Sequence, residues 1–437
     1  MEKKRISQDQ WEYLFERKDE TIFSNISDDK AFVENILFFE DFFYSDSFAI
    51  SFENCEFEGK ASFHACSFQS DVYFTNCIFK RELYIGELKS KYKISFLDST
   101  IEETAVFCEN TIYRLELNLK YAKKIIFDGR SSIGYIQIGG KDRNKYGTIH
   151  LNIGPDLERF EINHTEIDDL YFGYSTLDAE LILANSYLEK VKIENFRNAG
   201  SLKFLNCQSR KSKDSSILIN QSNLGKAEFF KFAFSSFTQI NVTNSVLFEC
   251  IFINCSWAKR NLISRVEHFS PALGVPEETT DEVLAENLKD VFKQVKTSFA
   301  RQGDYVQEQF FHGLEMNAYY KSLSFKGAFW TKIILRLSFW TSDYGQSFIR
   351  PLLLIIVVNS FIFFGMFLLH ATEYSSYDLR NLSNYFNTAA SVLNFMNPLH
   401  KIKDNLTGLP FVLDTTGRII SSYLIYNMIR STRRFVK

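Results

Sequence analysis

Large apolar residues recur every five or six positions through much of the first 257 residues, a period that neither a helix nor a flat strand has. Phe52, Phe57, Phe63, Phe68, Phe74, Phe79, Ile85, Phe96, Ile101, Phe107 and Ile112 keep the beat, with one double step between 85 and 96. Two residues before most of them stands a small or β-branched residue: Cys55, Ala61, Cys66, Val72, Cys77, Ile94, Ser99 and Ala105. A helix repeats at 3.6 and a half-buried strand at 2, so a sustained period near five fits a solenoid instead. The beat blurs between about 113 and 160 and returns as Ile162, Ile167, Phe172 and Leu177, running on to Phe252 and Trp257. Four such units per turn stack each large residue on its counterpart one turn away, at the β spacing of about 4.8 Å. The 45 Phe in 437 residues supply that column, and the 6 Pro and 19 Gly exclude disordered and collagen-like classes.

A small residue two places before a central Leu or Phe is the pattern of the pentapeptide-repeat proteins, which residues 45–257 resemble. The resemblance implies a mainly β fold, a right-handed quadrilateral β-helix, here following an N-terminal helical cap over 1–44. The same spacing explains the cysteines. Cys55, Cys66 and Cys77 lie eleven apart and Cys250 and Cys255 five apart, whereas zinc sites need pairs two to four apart. They are expected to be small buried residues. Residues 1–20 lack the apolar core of a secretory signal, so the solenoid is expected in the cytoplasm with its thiols reduced.

Beyond the repeats the composition changes. Residues 258–324 read as a linker, rich in Pro, Gly and Glu over 268–280, and an αα-hairpin turning at Gly303-Asp304. Residues 325–437 read as a membrane domain. Residues 325–341 carry tryptophans near both ends and Lys332 and Arg336 among apolar neighbours, the makeup of an interfacial helix. Residues 351–371 are apolar and long enough to span, and 411–430 form a second, more polar span. Between them, 385–399 is a candidate re-entrant segment with Asn387, Thr388, Asn394 and Asn397. Lys326, Lys332, Arg336 and Arg350 before the first span and Arg430, Arg433, Arg434 and Lys437 after the second place both termini in the cytoplasm. The hairpin with its Gly-Asp turn, then Tyr344-Gly345-Gln346-Ser347-Phe348-Ile349-Arg350-Pro351 running into a span, resembles bacterial pentapeptide-repeat proteins fused to ion-channel-like domains. That resemblance implies a multi-pass protein of the bacterial inner membrane.

Chemistry is sparse. The seven histidines, at 64, 150, 164, 268, 312, 370 and 400, make no HExxH pair, and no phosphate-binding loop or nucleophile elbow occurs. Neither an enzyme nor a cofactor is expected. The second span segregates Ser422, Tyr423, Tyr426, Asn427 and Arg430 from Ile420, Leu424, Ile425, Met428 and Ile429, so several copies around an axis would line a pore. Lys120, Lys123, Lys124, Lys141, Arg143, Lys145, Arg210, Lys211 and Lys213 fall where the beat lapses, and grouped in space they would hold an anionic ligand through phosphate contacts. Joining a signal-binding domain to a channel-like module makes the chain similar to membrane effectors of bacterial anti-phage systems, including the Hailong type. This resemblance implies a homo-oligomer, a tetramer by analogy with two-span channels, that depolarises the cell under control of an oligonucleotide-like ligand. The alternative is a membrane-anchored scaffold whose β-helix docks a partner protein.

Overall fold

The computed structural model describes residues 3–17, 19, 23–27, 30–38, 40–46, 49–140, 143–152, 154–173, 176–210, 214–257, 281–324, 327–369, 387, 390, 392–393, 396–399 and 408–432. The chain divides into two units, Met1–Glu278 and Thr279–Lys437.

The first unit is a β-solenoid of about ten turns. Among the described residues its strands form two main sheets of 14 and 13 strands, parallel except where Phe23–Ser27 runs antiparallel to Lys30–Glu34. The opening turns have four short strands each: Ile50–Glu53, Glu56–Phe57, Ala61–His64 and Ser67–Phe68, before Val72–Thr75 begins the next turn. Phe52, Phe74 and Phe96 stand in register across successive turns, their rings 5.2 and 4.5 Å apart and nearly parallel. Phe57 and Phe79 repeat the arrangement at 4.7 Å on another side. Burying one such ring contributes about 1.5–3 kcal/mol, and stacking adds about 0.5–1.5 kcal/mol.

The corners explain the small residue. Asn54, Ala65, Asn76, Glu87, Asp98 and Glu109, eleven apart, all have φ between 51° and 55°, so the chain turns sharply twice per coil. Asn and Asp tolerate this left-handed conformation best, which accounts for their frequency here. The next residue points inward and bonds to the previous turn. Cys66 Sγ donates to Tyr44 O (2.9 Å), Ser99 Oγ to Phe74 O (2.8 Å) and Asn110 Nδ2 to Ile85 O (2.8 Å). Their acceptor sites are used in turn, since Cys77 N–H donates to Ser99 Oγ (3.0 Å) and Leu88 N–H to Asn110 Oδ1 (3.1 Å). The corner thus closes buried backbone groups that no strand partner reaches.

The ladder begins earlier than residue 45. Lys30–Glu34, Ile36–Phe38 and Phe42–Tyr44 already pair with the following turn. The helix of the N-terminal region is α1, Gln8–Glu16, with Ser7 and Gln10 forming a capping box. It buries Trp11 against Phe38 and Phe42, ring centroids 5.3 Å away, and so closes the first turn. The stretch 113–160 continues the coil. There the strands are seven or eight residues long and bend at the corners, as in Thr111–Asn118, Tyr121–Phe127 and Ser132–Ile138.

In the second unit α2 (Asp281–Gln302) and α3 (Tyr305–Ser322) form a hairpin, turned by Gly303 at φ 75° and capped by Asp304, whose Oδ1 accepts from Gln307 N–H (3.0 Å). Then come α4 (Phe329–Ser342), α5 (Ile349–Leu368) and α6 (Leu409–Thr432). The expected linker over 258–280 lies outside the described residues. Among those described, α5 is the one helix long and apolar enough to cross a membrane, with mean hydropathy 2.4. The expected second span is a continuous helix, α6, that does not reach that apolarity.

Candidate functional site

Where α5 and α6 pack, polar side chains are buried among apolar ones, and many large apolar side chains face outward. On α6 the buried positions are Asp414, Gly417, Ser421, Leu424, Asn427 and Ser431, while Phe411, Val412, Ile419 and Ile429 are exposed. On α5, Asn359 is buried beside Ile355, Ile362, Phe363 and Met366, while Leu353, Val357, Phe361, Phe364 and Leu368 are exposed. The buried groups satisfy each other. Asn359 Nδ2 donates to Ser421 Oγ (2.8 Å), whose hydroxyl lies 3.1 Å from Asn359 Oδ1. Ser342 Oγ at the end of α4 donates to Asn427 Oδ1 (3.2 Å), and Arg418 Nε donates to Asp414 Oδ2 (2.8 Å). Exposed apolar faces together with hydrogen bonds across the helix contact suit helices in lipid.

The structure divides the expected pore-lining set. Ser422, Tyr423 and Tyr426 are exposed, with Tyr423 OH 3.4 Å from Thr341 Oγ1. Asn427 turns inward against Ser342, and Arg430 Nη2 lies 3.2 Å from His312 Nε2 on α3. The inward stripe through Asp414, Ser421 and Asn427 went unread because which side of a helix is covered depends on its partner helices. Of the re-entrant candidates, Asn387 is helical, and Asn397 Oδ1 accepts from Leu399 N–H (3.0 Å). Thr388 and Asn394 lie outside the described residues.

On the solenoid, five of the expected basic residues gather on one sheet. Lys120, Lys123 and Lys124 lie on or beside Tyr121–Phe127, and Arg143 and Lys145 at the start of the neighbouring Asn144–Leu151. Ile138 and Ile162 stack 24 residues apart, against 21 for Leu117 and Ile138, so the turn carrying Arg143 holds three extra residues. A second enlarged turn carries Arg210, since Ile193 and Ile219 stack 26 apart. The Arg143 and Arg210 guanidiniums lie 4.3 and 5.7 Å from the Tyr187 ring. Arg210 also pairs with Glu166, and its N–H donates to Glu189 Oε1 (2.9 Å). Lys123, Lys124 and Lys145 have no carboxylate within 4.0 Å among the described residues. Nearby, burial together with Lys124 and Lys192 holds the His150 imidazole below its usual range. Lys141, Lys211 and Lys213 lie outside the described residues.

Comparison with known proteins agrees with the coil geometry: residues 49–87 match the family described as pentapeptide repeats (9 copies). That stretch is the part built from four short strands per turn, so these residues are pentapeptide repeats wound as a β-solenoid. No curated protein and no solved structure matches the chain.

Proposed function

We propose that the chain is a bacterial inner-membrane protein whose copies assemble a pore through α5 and α6, controlled by the solenoid acting as a cytoplasmic sensor. The observation that carries this reading is the buried polar stripe of α6, Asp414, Ser421 and Asn427, on a helix that exposes Phe411, Val412 and Ile419. A plain anchor needs only a helix like α5; ionisable groups in a membrane helix are costly and mark function. Ser422, Tyr423 and Tyr426 remain exposed for the pore axis or a subunit contact. Lysines 123, 124 and 145, with no carboxylate within 4.0 Å among the described residues, supply the phosphate contacts for an anionic, oligonucleotide-like signal. Depolarisation on command is the action of an anti-phage effector, the role we assign.

The test is membrane potential and growth on inducing the full chain beside a version ending before Phe411. Depolarisation by the full chain alone supports the pore, and Ser422→Leu or Tyr426→Leu is then expected to alter single-channel conductance. A second reading, a membrane-anchored scaffold for a partner protein, draws on the closure of Asn359 and Ser421 within one copy. Silence of purified protein in bilayers with and without oligonucleotides selects it.

A further inference from the structure

We infer that α4 and the first turn of α5 form a site for the headgroups of anionic phospholipids, an inference that rests on the membrane reading above. Trp330, Ile334, Leu337 and Trp340 project from one side of α4, and the two tryptophans are 73% and 60% exposed. Leu335 and Ser342 face the opposite way and are buried. Amphipathic tryptophans spaced along a helix suit the boundary between headgroups and acyl chains.

The cations sit at the same level. The Arg336 guanidinium lies 5.4 Å from the Trp340 ring and 5.8 Å from the Tyr320 ring, and the Lys332 ammonium 5.4 Å from Tyr320. Arg350, at the start of α5, donates from Nη1 to Phe339 O (3.3 Å). Neither Arg336 nor Arg350 has a carboxylate within 4.0 Å among the described residues. Residues 325–350 hold four cations, Lys326, Lys332, Arg336 and Arg350, against one carboxylate, Asp343. Immediately beyond Arg350, the exposed Leu353, Ile356 and Val357 continue as an apolar face. A guanidinium fork at the top of a lipid-facing helix matches a phosphodiester, and the local positive excess selects lipids with net negative charge.

The full-length protein is to be reconstituted in phosphatidylcholine vesicles carrying a trace of pyrene-labelled phosphatidylglycerol or pyrene-labelled phosphatidylcholine, with energy transfer from tryptophan as readout. Preferential transfer to the glycerol lipid is expected, its underlying affinity ratio falling about twenty-fivefold in R336Q/R350Q and retained in R336K/R350K, from a contribution of about one factor of five for each of the two cations. Equal transfer to both lipids, or a preference unchanged in R336Q/R350Q, overturns the headgroup site while leaving the membrane reading intact. No transfer to either lipid, with protein that fails to float with the vesicles, overturns the membrane reading itself.

Discussion

At a corner of the solenoid a single hydroxyl serves two turns. Ser99 accepts the Cys77 N–H and donates to Phe74 O, and it is fully buried. Ser99→Ala leaves that amide without its acceptor, so a loss of about 1–3 kcal/mol is expected in chemical unfolding. Ser99→Cys, the residue the chain itself uses at 55, 66 and 77, is expected to recover part of it. Equal midpoints for all three proteins would mean that the corner bond is dispensable. On the outer surface Glu56 accepts from both Lys3 and Lys80, which hold its carboxyl at about 2. The folded value lies below the unfolded one, so the contribution is complete above about 4.5 and fades as pH falls toward 2. Glu56→Gln is expected to cost about 0.5–1 kcal/mol at pH 7 and progressively less in denaturation series at pH 4 and pH 3. A cost independent of pH would assign the effect to something other than this carboxylate.

Among the elements, α1 has the clearest separate task. Its nine residues present Trp11 to Phe38 and Phe42 at the first turn, beyond which the short strand Lys4–Ile6 pairs with Ile36–Phe38. Trp11→Ala is expected to cost about 3–5 kcal/mol and to raise aggregation by uncovering the terminal turn. Thermal unfolding and light scattering check this, and an unchanged midpoint would show that α1 rides on the solenoid without closing it. The repeat was legible from residue 52 onward because every turn imposes the same demand, a large residue inside and a small one after the corner. It was harder to read at the start, where Ile36–Phe38 and Phe42–Tyr44 pair in the ladder with a shorter turn: Phe38 and Phe57 stack 19 residues apart, not 22. It was also hidden over 113–160, where Leu and Ile replace Phe and one turn holds three extra residues.

Across the whole molecule the buried faces are set in two different ways. The first unit hides phenylalanine and exposes charge, and its sequence announces this because burial there follows from the chain's own coil. In α6 the inward side is set by α4 and α5, so a reading from periodicity grouped Asn427 and Arg430 with Tyr426, although Asn427 faces Ser342. Arg430 has a different significance at this scale. Its side chain crosses Gly345, 3.2 Å from where a Cβ would stand, and reaches His312. His312 Nδ1 lies 3.6 Å from Glu315 Oε2, which also takes Lys296 at 2.6 Å. Burial pushes the Glu315 carboxyl up, but His312 and Lys296 outweigh it and hold it below its ordinary value. Gln346 Nε2 adds a bond to Gln309 O (2.6 Å), so the hairpin, the α4–α5 junction and the end of α6 share one polar joint. Any change in the hairpin's position reaches α6 through these contacts, provided they carry energy. A double-mutant cycle with His312→Gln and Arg430→Gln is expected to give a coupling of about 0.5–3 kcal/mol in detergent-solubilised protein. Under the pore reading, Arg430→Gln is further expected to weaken the response to ligand. Additive effects of the two substitutions would leave the hairpin without an energetic hold on α6.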